Sequence, residues 1–214
     1  MTNPLADPYF ILNKVYGGGA YLKQAIAETP VEEQNRARTV RIVYGVMEND
    51  IYLEHCIRAF APKNPKLPVR IVLKISVYML LFLGKKKYMV TDNAVSLVKK
   101  LGKGGAAGFV NAFLRAFDAD KVKLPAGELA ALSVRASYPQ FALTRLIKAY
   151  GKDAAEKIAS FRAEGVSVRF CCDEEKLGGY LAGGEYQKTP FADTYIFRNF
   201  ARGEGYDEGE YTFQ

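Results

Sequence analysis

The chain is expected to be mainly α-helical: a helical bundle over residues 1–125, then a small α+β domain over 126–214. Three observations carry that expectation. Apolar residues in the first part recur three and four apart, as Phe109, Phe113 and Phe117 do beside Val110 and Leu114, and this spacing lines one face of a helix. No run suited to a strand occurs until residues 166–171, which alternate, and 194–200, rich in β-branched and aromatic residues. Charge divides in the same place. Residues 1–125 carry 19 Lys and Arg against 10 Asp and Glu, a net of +9, whereas 126–214 carry 11 against 13, a net of −2.

Taken in order, residues 7–15 and 20–27 read as short helices separated by Gly17-Gly18-Gly19. Those glycines are not followed by Lys-Ser or Lys-Thr and so do not make a phosphate loop. Thr29-Pro30-Val31-Glu32 offers a Thr cap, a proline at the first helical position and a Glu to close a capping box. One long helix is predicted from there to about residue 61, ended by Pro62, Pro65 and Pro68, which lack a backbone donor. Residues 69–83 are apolar on almost every side, which predicts a central helix buried all round. Thr91-Asp92 opens the next helix, whose end carries Lys99, Lys100 and Lys103, where cations complement the helix dipole. The last helix of the bundle is 108–117. Beyond it, helices are predicted at 139–150 and 153–164, a strand at 166–171, a short helix at 174–181 and a strand at 194–200, with an acidic, glycine-rich tail.

Several functions are excluded at this stage. Cys56, Cys171 and Cys172 are odd in number and form no CxxC pair, so neither a disulfide framework nor a zinc site is supported, and a reducing cytoplasm fits. The start lacks a charged region followed by an apolar one, so no secretory signal is expected. The run 69–83 is too short to span a bilayer and contains Arg70 and Lys74, so no membrane partner is expected. His55 has no second ligand at metal spacing and reads as a packed or half-exposed histidine. Arg58, Arg70 and Lys74 are expected to snorkel or to pair with acids at the bundle surface, and Cys171-Cys172 to sit on a strand with at least one thiol inward.

A formal charge of +7 points to an acidic partner. Two basic groups are the candidates: Arg36, Arg38 and Arg41, and then Lys85, Lys86, Lys87, Lys99, Lys100 and Lys103, whose span holds one acid, Asp92. Such groups neutralise phosphates and give affinity with little sequence preference. Among 27 Tyr and Phe with no Trp, Tyr88 beside the lysine triplet is the candidate for stacking on an unpaired base. Arg115 has two readings, a structural one bonding a carboxylate or carbonyl and a functional one facing phosphate.

Four stretches resemble the NusB-like RNA-binding fold: Val43-Tyr44-Gly45-Val46, Tyr78-Met79-Leu80-Leu81-Phe82-Leu83, residues 94–100, and Gly108-Phe109-Val110-Asn111-Ala112-Phe113-Leu114-Arg115. That fold occurs alone in the transcription antitermination factor and as the N-terminal domain of the Sun/RsmB ribosomal RNA cytosine-C5 methyltransferases. The likeness continues through residues 133–139, Arg145, Tyr150-Gly151, Val168-Arg169-Phe170 and Gly209-Glu210-Tyr211 with Gln214, which favours the methyltransferases. Asp92-Asn93, where the family has Asn-Glu, and Tyr138, where it often has His, depart from the pattern. The resemblance implies ribosomal RNA as partner and, in the parent enzyme, S-adenosylmethionine and a catalytic domain in cis. No cysteine here stands in a Pro-Cys or Thr-Cys context and no strand leads into a glycine-rich turn. The chain is therefore expected to recruit and orient substrate, without catalytic or cofactor-binding residues of its own. Two other classes stay open: a stand-alone antitermination module, and a scaffold in which 109–117 or 69–83 packs on another chain.

Overall fold

The apolar run forms α5 (Leu67–Leu81), and its residues 71–79 are all buried. It packs against α1 (Ala6–Gly18), α3 (Glu33–Glu48), α4 (Asp50–Phe60), α6 (Lys87–Lys100) and α7 (Ala107–Ala116), while α2 (Leu22–Ala27) lies on α1. Each fully buried Ile or Leu of α5 contributes roughly 1.5–3 kcal/mol relative to exposure, which makes this helix the centre of the bundle as predicted. The computed structural model describes residues 3–61, 63–161 and 165–213.

Several predicted boundaries move. The long helix breaks at Asn49, whose side chain donates to the Gly45 carbonyl at 2.8 Å while its backbone leaves the helical region. An asparagine that bonds the preceding turn competes with helix continuation, so α3 and α4 are separate rods. Thr29 does not cap α3; its hydroxyl donates to the Ala25 carbonyl at 2.7 Å and closes α2 instead. Pro68 stands in the first turn of α5, where no N–H is needed, and so begins a helix rather than ending one. Pro62 lies outside the described residues. α6 starts at Lys87, four residues before Thr91, whose hydroxyl turns back to the Lys87 carbonyl at 2.8 Å.

In α7, Val110, Phe113 and Leu114 are buried, as is Phe117 just past its end, and Phe60 meets Phe113 and Phe117 at ring distances of 6.2 and 5.4 Å. Phe109 leaves this stripe and is 39% exposed, because only part of α7's circumference faces α5 and α6.

Packing divides the chain between Ser160 and Phe161, not near residue 125. α8 (Glu128–Ala136), an additional helix, packs on α4, and α9 (Gln140–Tyr150) and α10 (Lys152–Ser160) complete a small core of Leu132, Ala136, Leu143 and Ala159. Ser137 ends α8 in the left-handed region, and its hydroxyl accepts from the backbone N–H groups of Ile51 and Tyr52 at 3.0 and 3.3 Å. These are first-turn donors of α4 with no partner inside their own helix, so the bond joins the later helices to the bundle. Residue 164, the predicted end of the last helix, lies outside the described residues.

The second unit, Phe161–Gln214, holds β1 (Val166–Phe170), α11 (Glu174–Ala182), β2 (Tyr186–Lys188), β3 (Thr194–Phe197), α12 (Glu204–Asp207) and β4 (Tyr211–Phe213). Its antiparallel sheet has the order β2-β3-β1-β4, with Val168 opposite Tyr195 and Phe170 opposite Tyr211. The core is aromatic, with Phe170 within about 6 Å of Tyr180, Tyr195, Phe197, Phe200 and Tyr211. β2 and β4 add two strands to the predicted pair. β1 stops at Phe170, so Cys171, exposed, and Cys172, half-buried, follow the strand instead of lying on it. Among the described residues no helix is long and apolar enough to cross a membrane.

Candidate nucleic-acid interface

Arg38 and Arg41 lie three apart on α3, so both project from one face; the Arg38 guanidinium also donates to the Asn35 side-chain oxygen at 2.9 Å. Across from them α5 ends, and Gly84, at φ 58°, takes the left-handed turn that lets the Lys85 N–H reach the Met79 carbonyl at 3.0 Å. That turn sets Lys85 beside the arginines. Arg38, Arg41 and Lys85 line one cleft with Ile42, Met79, Phe82 and Leu83, a space of about 350 Å³. Lys85 also lines the neighbouring cleft, together with Lys87, Arg115, Asp118 and Lys121. The two clefts therefore share a cation, Lys85, and together make a candidate basic track.

Side-chain environments differ along this track. The Lys87 ammonium donates to the carbonyls of Phe117, at 2.7 Å, and Arg115, at 3.4 Å, so it neutralises the carbonyl end of α7. Lys121 pairs with Asp118 at 3.4 Å. The Arg115 guanidinium is exposed and makes no hydrogen bond or ion pair among the described residues, which leaves it facing solvent in the cleft. Burial pushes the Tyr78 hydroxyl up, while the Arg41 guanidinium beside it pulls the other way. Tyr78 reaches this position because residue 45 is glycine: a Cβ there would stand 2.0 Å from the Tyr78 oxygen.

With α5 central and α7 closing the bundle, the sequence profile of the NusB family matches residues 10–119. The chain belongs to the NusB family. It is 31% identical over 146 residues to the probable ribosomal RNA small subunit methyltransferase B of Bacillus subtilis strain 168, an alignment covering 64% of this chain. The chain spans about a third of that relative's length, 32%. Among solved structures it is similar to the crystal structure of PH0851, with a TM-score of 0.63 at 17% identity, covering all of this chain and 53% of that one. At that identity the likeness speaks to fold alone.

Within this NusB-family bundle all eleven residues expected to meet nucleic acid are exposed. Five of them, Arg38, Arg41, Lys85, Lys87 and Arg115, are brought together by the two clefts. Arg36, Lys86, Lys99 and Lys100 line neither cleft, and Tyr88, 63% exposed, does not either. Lys103 lies in a separate groove of about 580 Å³ with Lys63, Lys66, Val69 and the exposed Phe109. Lys121 and Phe82 are members of the track that pattern reading misses. Lys121 belongs to no basic run, and Phe82 reads as core because its spacing continues the apolar stripe of α5, whereas the helix stops at Leu81 and leaves the residue 44% exposed.

His55 is half-buried and its Nε2 lies 2.8 Å from the Lys123 carbonyl, a structural tie. Arg58 and Arg70 pair with Glu54 at 3.3 and 3.9 Å as expected. Lys74 also finds acids, Asp50 at 2.6 Å and Glu54 at 3.2 Å, but inside the bundle rather than at its surface. Among the described residues no cluster of three or more His, Cys, Asp or Glu could hold a metal ion.

Proposed function

We propose that this chain is the RNA-binding, substrate-orienting portion of an S-adenosylmethionine-dependent ribosomal RNA cytosine-C5 methyltransferase. The observation that carries the reading is the joining of Arg38, Arg41, Lys85, Lys87 and Arg115 through two adjoining clefts in a NusB-family bundle. Guanidinium and ammonium groups spaced along a groove neutralise successive phosphates and release their counterions. Net charge supports it: residues 1–160 carry 24 Lys and Arg against 13 Asp and Glu, while 161–214 carry 6 against 10. RNA docking is thus a property of the helical unit. The likeness to a protein named as a ribosomal RNA methyltransferase extends over more residues than the family match, which favours this reading over a stand-alone antitermination module.

The described residues do not fit S-adenosylmethionine. The sheet is wholly antiparallel, so among the described residues no strand runs through a glycine-rich turn into a helix of a doubly wound layer. The proposal therefore looks to a separate methyltransferase domain in cis for catalysis. A filter-binding titration against salt tests the proposal. A ribosomal RNA hairpin should bind at low salt, with the logarithm of affinity falling linearly as the logarithm of salt rises. Absence of binding, or binding indifferent to salt, would overturn it. The isolated chain supplied with S-adenosylmethionine is expected to transfer no methyl group.

A further inference from the structure

The cleft between α3 and the end of α5 is more than a row of cations. Its rim carries Arg38, Arg41 and Lys85 with no acid, yet Met79, Phe82 and Leu83 give it an apolar floor. A duplex offers such a cleft only phosphates and sugar edges, leaving that floor unused. An unpaired nucleotide offers a phosphate and, one bond system away, a flat π-face. We propose that the Phe82 ring is a stacking platform for one unpaired nucleobase, with Arg41 and Lys85 holding the adjoining phosphates. The track would then take single-stranded or loop RNA in preference to a helix. This rests on the RNA-binding reading above and narrows it to a substrate class and a residue.

The ring is held in place before any ligand arrives. Phe82 stacks on Tyr78 at 5.2 Å with planes 21° apart, and meets the Tyr52 ring edge-on at 6.4 Å. Tyr78 is itself buried and lodged against Gly45. A pre-set ring loses little rotamer freedom on binding, so more of the stacking energy appears as affinity. Phe82 nevertheless keeps 44% of its surface open. That combination of exposure and support is what a stacking residue needs, and packing alone gives no reason to leave the ring open beside three cations.

The chain contains no tryptophan, so Phe82→Trp places a single reporter in the cleft. Its emission would be followed against an unpaired RNA of roughly 12 nucleotides and a blunt duplex of equal length, a size suited to one binding groove. Filter binding on the same samples would report occupancy, and circular dichroism melts would report folding. Saturable quenching by the single strand, with little change on duplex binding, is expected. Phe82→Ala and the bulkier Phe82→Leu should each weaken the single strand about tenfold while the salt slope stays the same, because stacking contributes about that much per base and no phosphate contact is lost. If the single strand binds by filter assay while the emission does not move and both variants bind as the parent does, the stacking site is wrong and the RNA reading stands. If neither RNA binds, the RNA reading falls and this inference with it. If the emission responds only to an added protein partner, the floor is a protein-docking surface and the proposal is overturned.

Discussion

Gly45 shows how one residue can shape the cleft without lining it. A methyl group there would lie 2.0 Å from the Tyr78 oxygen, and Tyr78 carries Phe82. Gly45→Ala is expected to destabilise the bundle by about 1–3 kcal/mol through overpacking, read as a lower urea midpoint. Glu210 governs a different response in the second unit. Lys176 donates to one of its carboxylate oxygens and the Tyr180 hydroxyl donates to the other at 2.6 Å, which holds its carboxyl below the usual range and pushes Tyr180 up to about 12. Because the native value is depressed, the stabilisation is complete above the ordinary glutamate value and is lost as pH falls through the native one. The near-UV signal of this tyrosine-rich unit should therefore melt more easily as pH drops from roughly 5 to 3, and Glu210→Gln should flatten that dependence. Equal acid sensitivity in both proteins would count against this role.

Between elements, the tie that matters most for the bundle is polar and buried. Lys74, 5% exposed in the middle of α5, bonds Asp50 and Glu54 of α4, and lies 4.7 Å from the centre of the Tyr16 ring of α1. The Tyr16 hydroxyl donates to Asp50, and burial with that carboxylate nearby pushes it up. Three helices thus meet at one ammonium. Removing it leaves two acids facing each other, Glu54 with an 18% exposed side chain and Asp50 with 35%. Lys74→Ala should cost about 3 kcal/mol, the low end for a broken buried pair because Asp50 can still reach water, as measured by chemical unfolding. Lys87 makes a smaller tie of the same kind between α6 and the end of α7, so it has a structural task beside its place on the track.

At the scale of the molecule, the proposed RNA binding rests on an uneven charge distribution. The helical unit carries the whole cationic excess, and the second unit is net acidic. Lys85→Ala combined with Arg115→Ala is expected to weaken binding to all RNAs alike and to lower the salt slope by about two, one per lost phosphate contact, with the melting temperature nearly unchanged. Both side chains are exposed, which is why folding should not notice their loss. Replacing Lys99 and Lys100, which line neither cleft, should change binding less; an equal effect would move the interface to the end of α6.

The helical class, the central position of α5, the switch to strands after residue 165 and the exposure of the eleven candidate residues, though not the burial of Lys74, were legible in the sequence, because apolar periodicity reports directly which face is buried. So were the motifs that mark the family. Other features required the packed chain. The break at Asn49, the start of α6 and the docking of the unpredicted α8 on α4 depend on side chains that choose between local and distant partners, as Asn49 and Ser137 do. The three-residue strands β2 and β4 are too short to carry a pattern and exist because β3 and β1 offer them partners. The cleft itself is the clearest case. Sequence spacing put Arg38, Arg41 and the lysines on surfaces, but only the packing of α3 against the end of α5 set Arg38, Arg41 and Lys85 around one ring. Spacing also made Phe82 core, since periodicity records where a stripe runs and not where the helix that carries it stops.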